Sequence, residues 1–239
     1  MSSSTVENGT NQMSLIARII NLFFSPSKTF QAVSTSPKWV LPLIIITLLI
    51  TFGAMYMLTP VIMTESKGVM EEKMLERGMS SDQVDKAVEQ TQKYQKYSIA
   101  PTTLVAGLVL TFIMAGIWLF FGNTILGGSA TYGQMLGVIT YSGFIGLLGL
   151  LIKMPIMLAQ QTMNVHFSLA TFMADASKDA FLYKLLANVE IFNLWTIAVY
   201  SIGIAIVAQL KVKSVWPWVL ILTVLYWVAA AGLGSAFGG

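Results

Sequence analysis

The sequence contains no cysteine and one histidine, and only 10% of its residues are charged. Without cysteine the chain has no disulfide bonds, no thiolate metal sites and no lipid attached through sulfur. A single histidine, His166, excludes motifs that bind a metal through a histidine pair, and no glycine-rich phosphate loop follows a strand pattern. We therefore expect no metal, no cofactor and no enzymatic activity.

The shortage of charge comes with an excess of apolar residues. Hydrophobic residues make up 55% of the chain and the mean hydropathy is +0.71, whereas about a quarter of a soluble domain is charged. Runs without charge are long enough to cross a bilayer. They predict an all-α membrane bundle with five transmembrane helices, at residues 40–63, 102–125, 132–152, 189–210 and 215–236. The charge-free run at 154–174 is rich in polar side chains and is predicted to be a loop.

The region before the first span consists of two segments for which different structures are predicted. Residues 1–12 are polar and are expected to form a disordered tail. Residues 13–37 show apolar side chains at helical spacing, with Arg18 largely off the apolar stripe, and Ser-Pro pairs punctuate them. This pattern predicts two short amphipathic helices, which either lie in the membrane interface or pack against the bundle.

The segment from residue 65 to residue 98 carries most of the charge of the chain. It holds seven acidic and six basic side chains, so its net charge is close to zero. Gly78 is suited to end one helix, and Ser80 with Gln83 forms a capping-box pattern that begins another. We therefore predict an extramembrane helical hairpin, which is either a solvated loop or a lobe that docks a partner.

Small residues recur along the span at residues 132–152. In lipid, helices associate through close backbone approach, because the surrounding chains are as apolar as the helices. At about 100° per residue the small side chains fall on two roughly opposite faces, so this span is expected to be buried at the centre of the bundle. The predicted helix-packing residues are Gly107, Gly133, Gly137, Ser142, Gly146 and Gly149.

Polar side chains near the start of the fourth span form a second candidate site. Lys153 and Glu190 lie near span ends, where a charge costs less than at the centre of the bilayer, and they can pair if these ends share a side. The full set is Lys153, Asn188, Glu190, Asn193, Thr196 and Tyr200. It indicates either interface anchors or the wall of a transport path.

Four stretches of the chain resemble the Ypt-interacting protein (Yip) domain family in its prokaryotic form. They are LFFSPSKTFQAVSTSPKWVLPL, MLERGMSSDQVDKAVE, ATYGQMLGVITYSGF and NVEIFNLWTIAVYSIGIA, and the resemblance covers about residues 15–230. It implies a multi-pass protein with five spans and a cytosolic N-terminus. In eukaryotic members it also implies association with small Rab-type GTPases in vesicle traffic.

The chain departs from this family pattern before and within its spans. It lacks the acidic Asp-Leu-Tyr-Gly-Pro segment before the first span and carries a long lobe after that span. It also has Thr-Tyr-Ser at 140–142, where the family often has Gly-Tyr-Ser. The GTPase association is therefore not carried over. We expect a membrane-organising or adaptor protein of the cell (inner) membrane with a cytoplasmic N-terminus, or alternatively a small transporter or channel. Its expected partners are membrane lipids, other membrane proteins or a second copy, and not nucleic acid.

Overall fold

The computed structural model describes residues 13–165, 167–173 and 180–237, and these residues are predominantly helical. The α-helices are α1 (Leu15–Phe24), α2 (Pro26–Thr35), α3 (Val40–Phe52), α4 (Thr59–Glu76), α5 (Ser81–Phe120), α6 (Tyr132–Gln160), α7 (Phe181–Ala187), α8 (Ile191–Val207) and α9 (Val212–Phe237). Within the described part of the chain the only extended pairing is the isolated bridge between Ser168 and Glu190. The all-α fold class is thus confirmed, while the tail at residues 1–12 lies outside the described residues.

The two N-terminal helices differ in what they contact. In α2, Phe30 and Val33 are fully buried, and this helix packs against α8 and α6. In α1, Ile16 and Phe24 are 71% and 84% exposed, so one apolar side of this helix faces away from the bundle. The sequence left open whether these helices lie in the membrane interface or pack against the bundle. The structure shows that α2 packs against the bundle, whereas α1 keeps an apolar surface that faces outward.

The first span continues without a break into the charged segment. A π-helical turn at Gly53–Leu58 joins α3 to α4, directly before Pro60. Proline has no N–H for the helical ladder, and a π turn is a local adjustment that keeps the helix continuous there. Helix α4 ends at a turn in which Gly78 has a φ of 77°, and the Ser80 N–H then donates to Gln83 Oε1 at 3.1 Å. The arms of the hairpin are thus extensions of the first two long helices.

Helix α6 is longer than the sequence predicted. It runs to Gln160 with Pro155 inside it, so the prediction of a loop from residue 154 is wrong for residues 154–160. Proline here removes one main-chain hydrogen bond from a helix of 29 residues. Met154 and Met157, each 5% exposed, pack in a cluster with Leu58, and this burial stabilises the extra turns.

Four of the helical segments have the length and composition to cross a membrane: Val40–Glu76, Ser81–Ile125, Tyr132–Gln160 and Val212–Gly232. The predicted fourth span corresponds to α8, which has 17 residues and a length of about 25 Å, less than the ~30 Å of a hydrocarbon core. It is therefore a shorter apolar helix, held inside the bundle by α2, α6 and α9.

Helix α6 lies at the centre of the bundle. In its most apolar window 67% of the residues are buried, compared with 24%, 11% and 22% in the other three helices of spanning length. Met135, Val138, Tyr141 and Ile145 are fully buried along it. The other long helices are therefore largely exposed; α3 and α5 pack directly against α6, whereas α9 packs against α8 and α7.

Two glycines of α6 allow close approach from different helices. A Cβ placed on Gly137 would lie 2.6 Å from Val33 Cγ1 of α2. One placed on Gly149 would lie 2.8 Å from Phe192 Cγ of α8. Both positions exclude a side chain, so small residues let α2 and α8 pack closely against α6.

The other predicted packing residues have looser surroundings. Gly133 makes ordinary contacts with Trp39 and Pro37, whereas no atom lies within 4 Å of a Cβ placed on Gly107 or Gly146. These two glycines therefore contact no neighbouring helix of this chain closely, and Gly107 borders a cavity instead. Ser142 is fully buried, but its hydroxyl has no hydrogen-bond partner among the described residues.

Sequence reasoning did not identify two further close contacts. A Cβ on Gly203 would lie 2.8 Å from Val138 Cγ1, and one on Gly143 would lie 2.9 Å from Ile46 Cδ1. Gly203 lies on α8, and Gly143 lies on α6 outside the set of predicted packing residues. These two contacts depend on which helices pack next to each other. The spacing of glycines in the sequence does not specify that.

We predict that Gly137→Ala destabilises the protein and that Gly146→Ala does not. The Val33 side chain has a stiff χ1 and cannot easily move away from a new methyl group, so overpacking should cost about 1–3 kcal/mol. At Gly146 the methyl group meets open space, and the better helix propensity of alanine should leave stability unchanged or slightly higher. The midpoint of thermal unfolding in detergent measures the stability of each variant. Equal midpoints for the two variants would contradict the close packing at Gly137.

Candidate functional site

An ion pair joins the end of α6 to the start of α8. Lys153 Nζ lies 2.8 Å from Glu190 Oε1 and 3.1 Å from Glu190 Oε2. The two side chains are 17% and 7% exposed, so the pair is largely removed from solvent. The structure thus brings together the two charged residues of the predicted polar site.

The main chain around Glu190 is fixed by its neighbours. Glu190 precedes α8 in an extended conformation, and its carbonyl oxygen accepts from Leu194 N–H at 2.9 Å. Beside it, Leu169 N–H donates to the Val189 carbonyl at 3.2 Å. The segment around residues 168–169 therefore lies alongside the start of α8, where Ser168 forms a bridge with Glu190.

The remaining polar residues of this stripe bond to nearby main-chain carbonyls. The side-chain amides of Asn188 and Asn193 donate to the carbonyls of Lys184 and Asn188, at 2.8 and 2.9 Å. The Thr196 hydroxyl donates to the Phe192 carbonyl at 2.8 Å. These three residues flank Glu190 in the sequence, but their polar groups are satisfied locally.

Tyr200 lies apart from the ion pair, at a cavity of about 200 Å³ that α3, α5, α6 and α8 surround. Gly107 and Thr111 line one side of this cavity. Thr140 is 2% exposed, and its hydroxyl has no hydrogen-bond partner in the described chain. The cavity is sized for a few water molecules or one small polar molecule, because a water occupies about 30 Å³ in the liquid.

Chemistry at these sites is limited by the side chains present. The ion pair holds one carboxylate and one ammonium group, and the cavity at Tyr200 is lined by hydroxyl and apolar groups. Among the residues that the structure describes, no group of three or more acidic or histidine side chains is placed to hold a metal ion. The arrangement is suited to holding helices together and to binding.

The charged hairpin forms a distinct lobe, which we define as residues 65–98. Val84 and Val88 are 3% and 4% exposed, and they fill the space between its two arms. At its base the Glu65 carboxylate accepts hydrogen bonds from the Thr162 hydroxyl and, at 3.0 Å, from the Met163 N–H. The lobe is therefore packed internally and attached to the loop that follows α6.

Arg18 is a buried charge that sequence reasoning did not select. It is 2% exposed, its Nε donates to the Met13 carbonyl at 3.2 Å, and its Nη1 donates to the Ser36 carbonyl at 2.6 Å. Helical spacing placed it off the apolar stripe of an interfacial helix, where an arginine usually reaches solvent. Only the packing of α2 and α6 against α1 reveals that it is enclosed.

The fold and these sites define a multi-pass helical membrane protein. The family model of the Yip1 domain matches residues 20–236, and the chain belongs to this family. The chain is also similar to the protein named "Membrane protein YknW" of Bacillus subtilis (strain 168), with 24% identity over 224 residues that cover 92% of this chain and 90% of that protein. No solved structure matches. The family resemblance deduced from the sequence is thus confirmed.

We expect the Lys153–Glu190 pair to show strong energetic coupling. Lys153→Met leaves a buried carboxylate without its partner and should destabilise the protein by up to about 3 kcal/mol. The double variant Lys153→Met/Glu190→Gln removes both charges and should recover most of that loss. A double-mutant cycle on thermal unfolding measures the coupling, and additive effects of the single variants would show that the pair contributes no coupling energy.

Proposed function

We propose that this protein is a non-enzymatic membrane-organising or adaptor protein whose charged lobe docks a partner protein. The observation that carries this proposal is the exposure of apolar side chains on the lobe. Val69 and Leu75 are 53% and 54% exposed, although charged residues surround them in the sequence. Contiguous exposed apolar patches mark interaction sites, and exposed apolar side chains of the lobe are available to form such a patch together with a partner.

The attachment of the lobe supports a binding role. Ser66 Oγ and Gln95 Oε1 are 3.0 Å apart across the two arms, and Gln92 Nε2 donates to the Met63 carbonyl at 3.2 Å. Together with the contacts of Glu65, these bonds hold the base of the lobe in one orientation. A surface held in this way loses little conformational entropy when a partner binds.

The hydrogen bonds and the ion pair formed by the polar residues near the start of α8 favour this function over transport. Glu190 is engaged by Lys153, and the side chains of Asn193 and Thr196 are bonded to main-chain carbonyls. When intramembrane polar groups transport a substrate or an ion, they must give up their partners within the protein in order to bind it. Groups that are satisfied within the protein are suited to a structural role.

We also propose that the protein crosses the cell membrane five times, with α8 as the short fourth crossing and the N-terminus in the cytoplasm. Successive long helices reverse direction, because Ser129 N–H bonds to the Ala208 carbonyl at one end and Met163 N–H to Glu65 at the other. This path places the lobe on the side opposite the N-terminus. Reporter fusions at the two ends should therefore report opposite sides, and reports from the same side would contradict five crossings.

A small transporter or channel is the second candidate function. It is favoured by the cavity at Tyr200, where the buried hydroxyls of Thr51 and Thr140 have no partner among the described residues. Flux through reconstituted wild-type protein that is lost in Glu190→Gln or Thr140→Val would favour transport over docking.

The adaptor proposal predicts selective crosslinking from the lobe. A photoreactive amino acid at position 69 or 75 should give a discrete crosslink to one protein in native membranes, because these side chains point outward from a folded surface. Mass spectrometry then identifies the crosslinked protein. Competition by the separately purified partner should abolish the crosslink.

Phe172 provides the matched control. It is 86% exposed on the loop after α6, at the same end of the bundle, but it lies outside the lobe. The same photoreactive group at position 172 should not capture the same protein. Equal capture from positions 69, 75 and 172, or no discrete crosslink from the lobe, would contradict docking at this surface.

A further inference from the structure

A cavity of about 470 Å³ lies at the end of the bundle opposite the lobe. The start of α1, the connection between α2 and α3, and the first turn of α3 form its walls. Tyr141 of the central helix reaches the same cavity, and its hydroxyl donates to the Lys38 carbonyl at 3.4 Å. The cavity is therefore built from elements that are distant in the sequence and held together by α6.

The charge of this cavity is positive. The Arg18 guanidinium lines it, and none of the lining residues in the described part of the chain is acidic. Arg18 is 2% exposed and forms no ion pair with any residue in the described part of the chain. Its two hydrogen bonds to carbonyls satisfy donors but leave the charge in place. A buried charge without a counter-charge is unfavourable, so an anion bound here would stabilise the protein.

Two helices begin at this cavity and add to its positive potential. Helix α1 starts at Leu15 after its cap Ser14, and α3 starts at Val40, and all three residues line the cavity. The first N–H groups of a helix have no partner within the helix, and the helix dipole places partial positive charge there. Together with the buried guanidinium, they form a site of the kind that binds phosphate.

The outer wall of the cavity is apolar. Val40 and Leu41 are 53% and 56% exposed at its edge, and Trp39 lies beside them. Tryptophan is enriched at the headgroup level of membranes, which places the cavity where the polar and apolar parts of a lipid meet. A cationic interior with an apolar edge complements a molecule that has a phosphate at one end and acyl chains at the other.

We propose that this cavity binds a phosphate-bearing anionic group, supplied in the membrane by an anionic phospholipid. Arg18 and the first N–H groups of α1 and α3 contact the phosphate. Val40 and Leu41 contact the acyl chains. This proposal stands independently of the docking function of the lobe, because it rests on residues at the opposite end of the bundle.

The test uses the full-length protein purified in detergent, with phosphatidylglycerol, phosphatidylcholine or inorganic phosphate added separately. Phosphatidylglycerol should raise the midpoint of thermal unfolding and remain bound in native mass spectrometry, whereas phosphatidylcholine should do neither. A matching stabilisation by millimolar inorganic phosphate would identify a free anion as the ligand of the same site. Equal effects of the anionic and zwitterionic lipids, without any effect of phosphate, would overturn the proposal.

The variant Ser14→Asp tests the location of the site without removing a helix cap. Ser14 Oγ accepts from the Ala17 N–H at 3.2 Å, and aspartate caps a helix as well as serine does, so the fold should be retained. Its carboxylate would occupy the positive potential at the mouth of the cavity and repel an anion. We expect the affinity for phosphatidylglycerol to fall at least about tenfold, since a like charge at a binding site costs several kcal/mol.

Ser80→Asp is the matched control, because Ser80 precedes α5 within the capping box of the lobe, at the other end of the bundle. It adds the same charge at an equivalent helix position and should leave lipid binding unchanged. Arg18→Gln should also reduce binding, and its circular dichroism spectrum shows whether the fold survives the loss of the carbonyl contacts. Equal phosphatidylglycerol affinity in the Ser14→Asp and Ser80→Asp variants would overturn the assignment to this cavity.

Discussion

The burial of α6 is the constraint on which the rest of this structure depends. A helix in a membrane gains little from burial for its own sake, so its neighbours must come close enough for backbone and side-chain atoms to interlock. Gly137 beneath Val33 and Gly149 beneath Phe192 provide that closeness towards α2 and α8. Helix α2, for example, is positioned by its packing against both α6 and α8.

The polar features are divided between the two ends of this central helix. Tyr141, on the N-terminal half of α6, faces the positive cavity around Arg18. Lys153, near its C-terminal end, pairs with Glu190 on the side of the lobe. A single helix therefore connects the cavity for which we propose lipid phosphate as the ligand with the end of the bundle that carries the lobe.

Patterns local in the sequence predicted much of this structure. The absence of charge predicted the membrane helices, the Ser80 capping box predicted the start of α5, and the small residues of α6 predicted a central position. Features that depend on neighbours were less predictable. The extension of α6 through Pro155 rests on methionine packing against Leu58, and Gly146 carries the same spacing signal as Gly149 but faces outward. The enclosure of Arg18 arises from two connections that fold over it, and no local pattern signals it.

Accessibility of α6 to the bilayer tests the central claim most directly. The chain has no cysteine, so single cysteines can be introduced and spin-labelled without a background signal. The collision rate of each label with dissolved oxygen in lipid bilayers then reports its contact with acyl chains. The structure predicts low oxygen accessibility at positions 138, 141 and 145 of α6 and high accessibility at positions 44 and 48 of α3, which are 49% and 58% exposed. Equal accessibility of the two helices would contradict a bundle built around α6.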